Sequence, residues 1–328
     1  MAYDPAKGEI FVARYDGNVS IVSDSSNSIV ATIPIGSPYH GNNLLSAVYD
    51  SGKGEIFFTN INNGTVSVIS DSSDSVVATI PVGPNPRGIA YDPTRNEVFV
   101  TTKTGVDVIS DATNAVTATI PIGGWGYDIT FDAGKDEMFV PNNFSLISVI
   151  TDSNDTVVAT IHLSNNNSNV TNITSNGVYD PGKGELFFQN GDYWVSTISD
   201  SNDSVMATIG VGYGPGPMAY DPAGYVFVVN SEESSMSVIS DSTNKVLATV
   251  DIGSRCEGIA YDSVKNEIFV SSEFSPILTV LSVAAIGGSS STVPEFPVAS
   301  MAVVTFAILA VVASVTRIPR RFKPREAT

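Results

Sequence analysis

Few side chains in this sequence could support nucleophilic, acid–base or metal chemistry. It contains two histidines, His40 and His162, and one cysteine, Cys256. Nucleophilic triads need a base beside the nucleophile, and a zinc site needs at least three convergent protein ligands. Neither histidine has a further ligand type beside it, and Cys256 is typical of a small core residue. The sequence therefore predicts no catalytic residues, no metal and no cofactor, with both histidines in exposed loops.

Acidic residues are frequent but repetitive. The turns at 71–74 and 152–155 are rich in Asp, Ser and Asn, but they lack the alternating oxygen ligands and the glycine of an EF-type calcium loop. Asp and Ser that accept local backbone N–H bonds explain these turns without a metal, with weak Ca²⁺ binding as the alternative. A glutamate recurs at six equivalent positions, which indicates a structural role: Glu9, Glu55, Glu97, Glu137, Glu185 and Glu267.

Aromatic residues in the connections between strands are the best candidates for binding a ligand or partner. Exposed aromatic side chains suit stacking on a glycan or contact with a protein, and packing in the fold is the alternative for each of them. The candidates are Tyr39, His40, Trp125, Tyr127, Phe144, Tyr193, Trp194 and Phe274. Three sequons in one polar stretch are candidate glycosylation sites, namely Asn166, Asn169 and Asn172.

The elements that position these residues repeat along the chain. An aromatic–Asp pair recurs seven times, from Tyr3-Asp4 to Tyr261-Asp262, at spacings of 46, 42, 40, 48, 41 and 41 residues. In six of the seven copies the pair belongs to a set of four short β-branched runs, which predict strands a, b, c and d. Four strands at a period near 40 residues favour an all-β, seven-bladed β-propeller with four-stranded antiparallel blades over an open solenoid.

Loop lengths divide the predicted propeller into two faces. The gap from the strand-c Asp to the strand-d Thr is 8 residues in all six complete copies, whereas the gap from that Thr to the next strand-a Asp reaches 18 (Thr32 to Asp50) and 20 (Thr160 to Asp180). The a–b and c–d turns should share one constant face. The b–c and d–a connections should share the opposite, variable face. Their variation in length indicates either a recognition surface or neutral sequence drift at a tolerant site.

The last copy ends at strand c, residues 278–283, so the seventh blade is expected to lack its outer strand. Residues 1–5 already belong to strand a of the first copy. We expect the natural start to lie further upstream, where it would supply a signal peptide and the missing strand. The alternative is a three-stranded seventh blade with the C-terminal helix inserted internally in the membrane.

The repeat resembles the YVTN-repeat propellers, common in archaeal surface-layer and cell-surface proteins. The resemblance covers residues 1–283 and rests on Gly-Ile-Ala-Tyr-Asp-Pro at 88–93, Val-Phe-Val-Thr at 98–101 and Ala-Thr-Ile-Pro at 78–81. The namesake tetrapeptide becomes Phe-Phe-Thr-Asn at 57–60. This resemblance implies a propeller fold and display on a cell surface, and implies no particular activity.

The C-terminal part predicts a membrane anchor. A Gly/Ser/Pro linker at 284–297 precedes an uncharged apolar run at 298–316, long enough for a transmembrane helix. The basic tail at 317–328 should be cytoplasmic and the propeller outside; a buried core helix is the alternative. Pro-Glu-Phe-Pro at 294–297 resembles PEF-type sorting signals, which would make an archaeosortase-like enzyme a processing partner that removes the helix.

The net negative charge of the chain limits the classes of partner that it can bind. The formal net charge is −18, and since five of the 16 basic and two of the 34 acidic residues follow residue 283, the repeats alone carry −21. Such a surface disfavours nucleic acid. We expect a non-enzymatic, membrane-anchored surface protein that binds envelope proteins or glycans through its variable face. The alternative is a propeller enzyme of lyase or lactonase type acting at the central channel.

Overall fold

A computed structural model describes residues 1–14, 16–35, 44–142, 146–163, 177–253, 255–272 and 278–283. These residues form seven antiparallel sheets, six with four strands and one with three, each in the order of the chain. The seven sheets are the predicted blades. The prediction that the seventh lacks strand d is confirmed for the described residues.

The first four blades each hold strands a to d in sequence. Blade 1 contains β1 (Ala2–Asp4), β2 (Glu9–Ala13), β3 (Asn18–Ser23) and β4 (Ser28–Pro34). Blade 2 contains β5 (Leu44–Asp50), β6 (Glu55–Asn60), β7 (Thr65–Ser70) and β8 (Ser75–Pro81). Blade 3 contains β9 (Ile89–Asp92), β10 (Glu97–Thr102), β11 (Gly105–Ser110) and β12 (Ala115–Ile120). Blade 4 contains β13 (Thr130–Asp132), β14 (Glu137–Pro141), β15 (Leu146–Thr151) and β16 (Thr156–His162).

The last three blades repeat this arrangement, except that the described residues of the seventh contain no strand d. Blade 5 contains β17 (Val178–Asp180), β18 (Glu185–Gln189), β19 (Trp194–Ser199) and β20 (Ser204–Gly210). Blade 6 contains β21 (Pro215–Asp221), β22 (Tyr225–Asn230), β23 (Ser235–Ser240) and β24 (Lys245–Asp251). Blade 7 contains β25 (Cys256–Asp262), β26 (Glu267–Ser272) and β27 (Leu278–Ser282).

Burial along the strands follows from their place in a blade. Strand b is apolar at consecutive positions, and Ile56, Phe57 and Phe58 of β6 are all fully buried, because both faces of each sheet pack against a neighbouring blade. Strand d lies at the outer edge and is buried mainly near its end. In β8, Val77 is 50% exposed but Ile80 only 2%.

The blades close into a ring. Each strand a contacts strand a of the next blade, and β25 of blade 7 contacts β1 of blade 1. A core cluster crosses this closure and joins Ile10 and Val22 of blade 1 to Ala260 and Phe269 of blade 7. Strands a therefore surround the central axis, as a propeller requires.

Antiparallel order places the a–b and c–d turns at one end of the ring, the turn face, and the other connections at the variable face. The strand-a aspartates cap their turns. Asp50 Oδ1, for example, accepts bonds from the Gly52 and Lys53 nitrogens at 2.7 and 3.2 Å. The c–d turns end on Asp or Asn with positive φ, such as Asn114 at 50°, a conformation that these two residue types tolerate. Local backbone chemistry thus accounts for these turns.

The part of the chain described by the structure contains no helix able to span a membrane. The predicted linker at 284–297, transmembrane helix at 298–316 and basic tail at 317–328 lie outside the described residues.

Candidate binding surface

Three exposed aromatic residues lie on the variable face where blade 5 joins blade 6, and two of them, Tyr193 and Tyr213, have their rings in contact. Tyr193 comes from the b–c connection of blade 5, Trp194 opens β19, and Tyr213 lies on the connection that leads into blade 6. The Tyr193 and Tyr213 ring centroids are 5.0 Å apart, with the rings inclined by 31°. The three side chains are 49, 43 and 40% exposed, respectively. We call these three residues the aromatic cluster.

Trp194 is held against the outer strand of its own blade. It pairs with Gly210 at the end of β20, and a Cβ on Gly210 would lie 3.3 Å from the indole ring. Strand d ends in proline at the equivalent positions Pro34 and Pro81. The glycine therefore leaves the indole room to lie on strand d with its other side exposed.

Carboxylates border the aromatic cluster. Asp192 precedes Tyr193, and its carbonyl accepts a 2.8 Å bond from the nitrogen of Gly214, next to Tyr213. Glu232 packs its side chain against the same glycine, so closely that a Cβ there would be 2.7 Å from its Cγ. Asp192 and Glu232 are exposed. Two exposed acidic residues, whose carboxylates can accept hydrogen bonds, thus neighbour the aromatic cluster.

The other two described aromatic candidates lie at the junction of blades 3 and 4, and each meets a cation. Lys103 Nζ lies 4.5 Å from the Trp125 ring centroid, and the Arg87 guanidinium lies 5.1 Å from that of Tyr127. Trp125 is 41% exposed. These rings form cation–π contacts within the protein, although Trp125 is as exposed as Trp194 and Tyr213.

Several predicted site residues lie outside the described residues: Tyr39, His40, Phe144, Phe274, Asn166, Asn169 and Asn172. His162 ends β16 and is exposed. Cys256 is buried, and burial raises the pKa of its thiol to about 11, which fits the predicted core role. Tyr213 was not among the residues predicted from the sequence, although it is an aromatic residue in a variable-face connection like those that were.

Asp128 was also not predicted as a site residue, because it belongs to none of the recurring sequence motifs. It lies just before β13, on the approach to the inner strand, and is 2% exposed. Oδ1 accepts a 2.8 Å bond from the Ile129 nitrogen, whereas Oδ2 has no hydrogen-bond partner among the described residues. Burial raises the pKa of this carboxyl to about 7. A Cβ on Gly88 would lie 2.5 Å from Asp128 Cα, so that close approach needs glycine.

On the turn face, charged residues join neighbouring blades. Lys53 of blade 2 contacts the main-chain oxygen of Asp111 in blade 3 and lies 3.8 Å from Glu55 Oε2. Burial, then the neighbouring Asp50, raises the pKa of Asp111. Equivalent sets recur around the ring, so their role is structural. Within the described residues, no group of three or more His, Cys, Asp or Glu side chains is placed to hold a metal.

No protein-family model and no curated protein matches the chain. Among solved structures, the chain resembles one titled Kuenenia stuttgartiensis Hydrazine Synthase, with a TM-score of 0.74 and 14% sequence identity over 86% of this chain and 94% of that one. At such identity the similarity shows the propeller fold and carries no activity over to this chain.

Proposed function

We propose that this protein is a non-enzymatic binding protein of the cell surface and that its aromatic cluster binds a neutral glycan. The observation that supports this most is the exposure of three neighbouring aromatic rings, Tyr193, Trp194 and Tyr213, on the variable face. Exposed rings of this size are costly to leave in water and are typical of recognition sites.

A sugar fits the chemistry around these rings. The inclined rings offer apolar faces to the C–H surface of a pyranose. The exposed carboxylates of Asp192 and Glu232 can accept hydrogen bonds from its hydroxyl groups. The net charge of −18 would repel sulfated or carboxylated glycans. A neutral glycan is therefore favoured over an anionic one, and a basic protein segment is the competing partner.

The test is a glycan array that carries neutral and anionic glycans, probed with the full-length protein in detergent. Trp194→Ala and Tyr213→Ala should each weaken binding to a neutral glycan by about tenfold or more, a loss of roughly 1.4 kcal/mol. Val77→Ala is the control, because Val77 is an exposed apolar residue of β8, away from the cluster. Unchanged binding by both aromatic variants would refute the site; capture of basic peptides in place of glycans would refute the ligand class.

We also propose display outside the cell, anchored by residues 298–316, in line with the resemblance to YVTN-repeat surface proteins and a PEF-like signal. The basic residues at 317–328 support this orientation. Protease shaving of intact cells should release peptides of residues 1–283 while the tail stays protected. Release of repeat peptides only after lysis would contradict display.

One observation favours the second candidate, an enzyme of lyase or lactonase type. Asp128 is a buried carboxyl near the inner strand whose pKa is raised to about 7, and a proton donor or acceptor near neutral pH has such a value. Asp128→Asn should then abolish turnover of polyuronides or lactones by the full-length protein. Absence of turnover by the wild-type protein would leave the binding role as the sole proposal.

A further inference from the structure

The junction of blades 3 and 4 carries two cations that are not neutralised by an acidic side chain of the described residues. Of the 16 basic residues in the chain, five follow residue 283. Seven others form ion pairs with Asp or Glu: Lys7, Arg14, Lys53, Arg95, Lys135, Lys183 and Lys265. Arg87 and Lys103 form no ion pair within the described part of the chain, and the charged group of each lies over an aromatic ring instead.

The backbone brings these two cations to the same place on the variable face. The nitrogen of Arg87, which lies just before β9, donates to the Thr101 oxygen at 2.9 Å. The nitrogen of Lys103, in the b–c connection of blade 3, donates to the Pro84 oxygen at 2.9 Å. The connection into blade 3 thus runs alongside the end of β10, and both basic side chains start from this paired segment.

A glycine brings the two aromatic rings to the cations. Gly126 lies between Trp125 and Tyr127 in the connection from blade 3 to blade 4, and a Cβ on it would be 2.8 Å from the Thr101 Cβ. The absence of a side chain therefore lets this connection lie directly against the end of β10. We define the basic patch as Arg87, Lys103, Trp125 and Tyr127.

Two buried acids lie in the same part of the molecule, and neither forms an ion pair with the patch. Asp107 is 3% exposed, and its carboxylate accepts bonds from the Gly83 nitrogen at 2.6 Å and the Thr119 hydroxyl at 2.7 Å. Asp128 follows Tyr127, and burial raises the pKa of its carboxyl to about 7. Near neutral pH its negative charge is only partly present. The positive charge of the basic patch thus remains available to a ligand.

The chemistry of the patch fits a sugar that carries a carboxylate. A guanidinium can donate two parallel N–H bonds to a carboxylate, and an ammonium adds a compact charge. An aromatic face attracts a cation but does not replace these directional bonds. Trp125 is 41% exposed, and an exposed indole suits the C–H surface of a pyranose. The aromatic cluster differs in this respect, because it is bordered by the acids Asp192 and Glu232.

The charge of the remaining surface limits how many acid groups the ligand can carry. The repeats have a net charge of −21, so a polyuronide or an acidic peptide would be repelled wherever it extends beyond the basic patch. A mostly neutral glycan with a single acidic sugar meets the two cations at one point and avoids this repulsion.

We propose that the basic patch binds the carboxylate of a single uronic acid residue in an otherwise neutral glycan. The Arg87 guanidinium and the Lys103 ammonium donate hydrogen bonds to the carboxylate, and Trp125 packs on the pyranose ring. This site is separate from the aromatic cluster, and the proposal holds whether or not that cluster binds a neutral glycan.

Two matched oligosaccharides test the proposal: a β-linked glucose oligosaccharide that ends in glucuronic acid and the same one ending in glucose. Both are titrated calorimetrically into the full-length protein in detergent, and into Trp194→Ala, in which the aromatic cluster is impaired. We expect the acidic oligosaccharide to bind about tenfold more tightly in both proteins, because it adds charge-assisted hydrogen bonds. Equal affinities, tighter binding of the neutral oligosaccharide or no binding of either would overturn the proposal.

Charge-removing variants locate the site. Arg87→Gln and Lys103→Gln should each weaken binding of the acidic oligosaccharide by about tenfold and leave the neutral one unchanged. Lys245→Gln is the matched control, because Lys245 is an exposed lysine at the start of β24, next to the turn face. An equal loss in Lys245→Gln would show a general charge effect and would overturn the site. If Arg87→Gln fails to fold, the exposed Lys103 decides the matter.

A competition experiment tests the ligand class. A soluble peptide rich in glutamate is added to the complex of the full-length protein with the acidic oligosaccharide. We expect no displacement at peptide concentrations equal to that of the oligosaccharide, because the acidic surface around the patch repels the peptide. Displacement at or below that concentration would assign the patch to acidic protein segments and would overturn the proposed ligand.

Discussion

The phenolic oxygen of Tyr261 lies 3.0 Å from Oδ1 of Asp221, across the boundary between blades 6 and 7. The same oxygen lies 3.0 Å from Oδ1 of Asn266 in its own blade. Burial, followed by the bond to Asp221, raises the pKa of the phenol to about 12. The neutral hydroxyl is therefore the donor at physiological pH. It joins blade 7 to blade 6, whose a–b turn, residues 221–225, has no basic residue.

Tyr261→Phe should destabilise the propeller by about 1 kcal/mol, because it removes a partly buried hydrogen bond to a charged acceptor. Urea unfolding followed by circular dichroism measures this change. Tyr193→Phe is the control, since Tyr193 is 49% exposed and should change stability little. Equal effects of the two variants would mean that the Tyr261–Asp221 contact adds nothing to the blade boundary.

The boundary between blades 3 and 4 lacks this hydroxyl, because Phe131 stands where six blades have tyrosine. There the pKa of Asp152 is raised to about 7 by burial and then by a contact with Asp92. Phe131→Tyr would add a donor beside Asp92 and should stabilise the protein by about 1 kcal/mol at pH 8. The gain should shrink at pH 5, where Asp152 is protonated and can donate the bond itself.

Urea unfolding at the two pH values tests this prediction. Phe139→Tyr serves as a contrast in the same blade: Phe139 is fully buried in an apolar cluster, so a hydroxyl there should destabilise. A loss of stability in Phe131→Tyr at pH 8 would show that the boundary has no room for the hydroxyl.

The sequence predicted the blades, their number and the missing strand, because each depends on a motif that recurs at fixed spacing. It did not predict the contacts between blades. Lys53 and Asp111 are 58 residues apart and meet only because the ring places one blade's a–b turn on the next blade's c–d turn. The a–b turn of blade 6, residues 221–225, has no basic residue, and Val283 stands in blade 7 where the other blades have the aspartate after strand c. Both features are visible in the sequence, but only the arrangement of the blades shows that they concern the same contact.

The candidate site was predicted in part for a similar reason. Residue type selected Tyr193 and Trp194, but the contact of Tyr193 with Tyr213 depends on a connection that enters the next blade. Trp125 and Tyr127 satisfied the same criterion, and the structure places each against a cation. Sequence alone could not show which of these rings lies against a cation and which lies against another ring. No sequence feature marked Asp128, because the raised pKa of its carboxyl results from burial in the folded protein.

Asp128 should make the protein less stable as pH rises. Its folded-state pKa is about 7, raised from 3.8 by burial, so the folded state holds the proton more tightly than the unfolded state. Stability is therefore highest below about pH 4 for this group and falls until about pH 7. Asp128→Asn should remove this dependence and raise the free energy of unfolding at pH 8 by at least about 1 kcal/mol.

Unfolding free energies of wild type and Asp128→Asn at pH 4.5, 6 and 8 check this. Asp16→Asn is the control, because Asp16 is an exposed partner of Arg14 at 2.8 Å and surface pairs contribute little. Parallel pH curves for wild type and Asp128→Asn would mean that the carboxyl stays ionised when buried.

Strand d should contribute to stability through a single position. Ile80 is 2% exposed and packs in the cluster shared by blades 2 and 3, whereas Val77, three residues earlier on β8, is 50% exposed. Ile80→Ala should cost about 2–5 kcal/mol through lost burial and a cavity, and Val77→Ala less than about 0.5 kcal/mol. Thermal unfolding of the two variants measures the difference. Similar costs at both positions would show that the outer strand stabilises its blade mainly through the backbone.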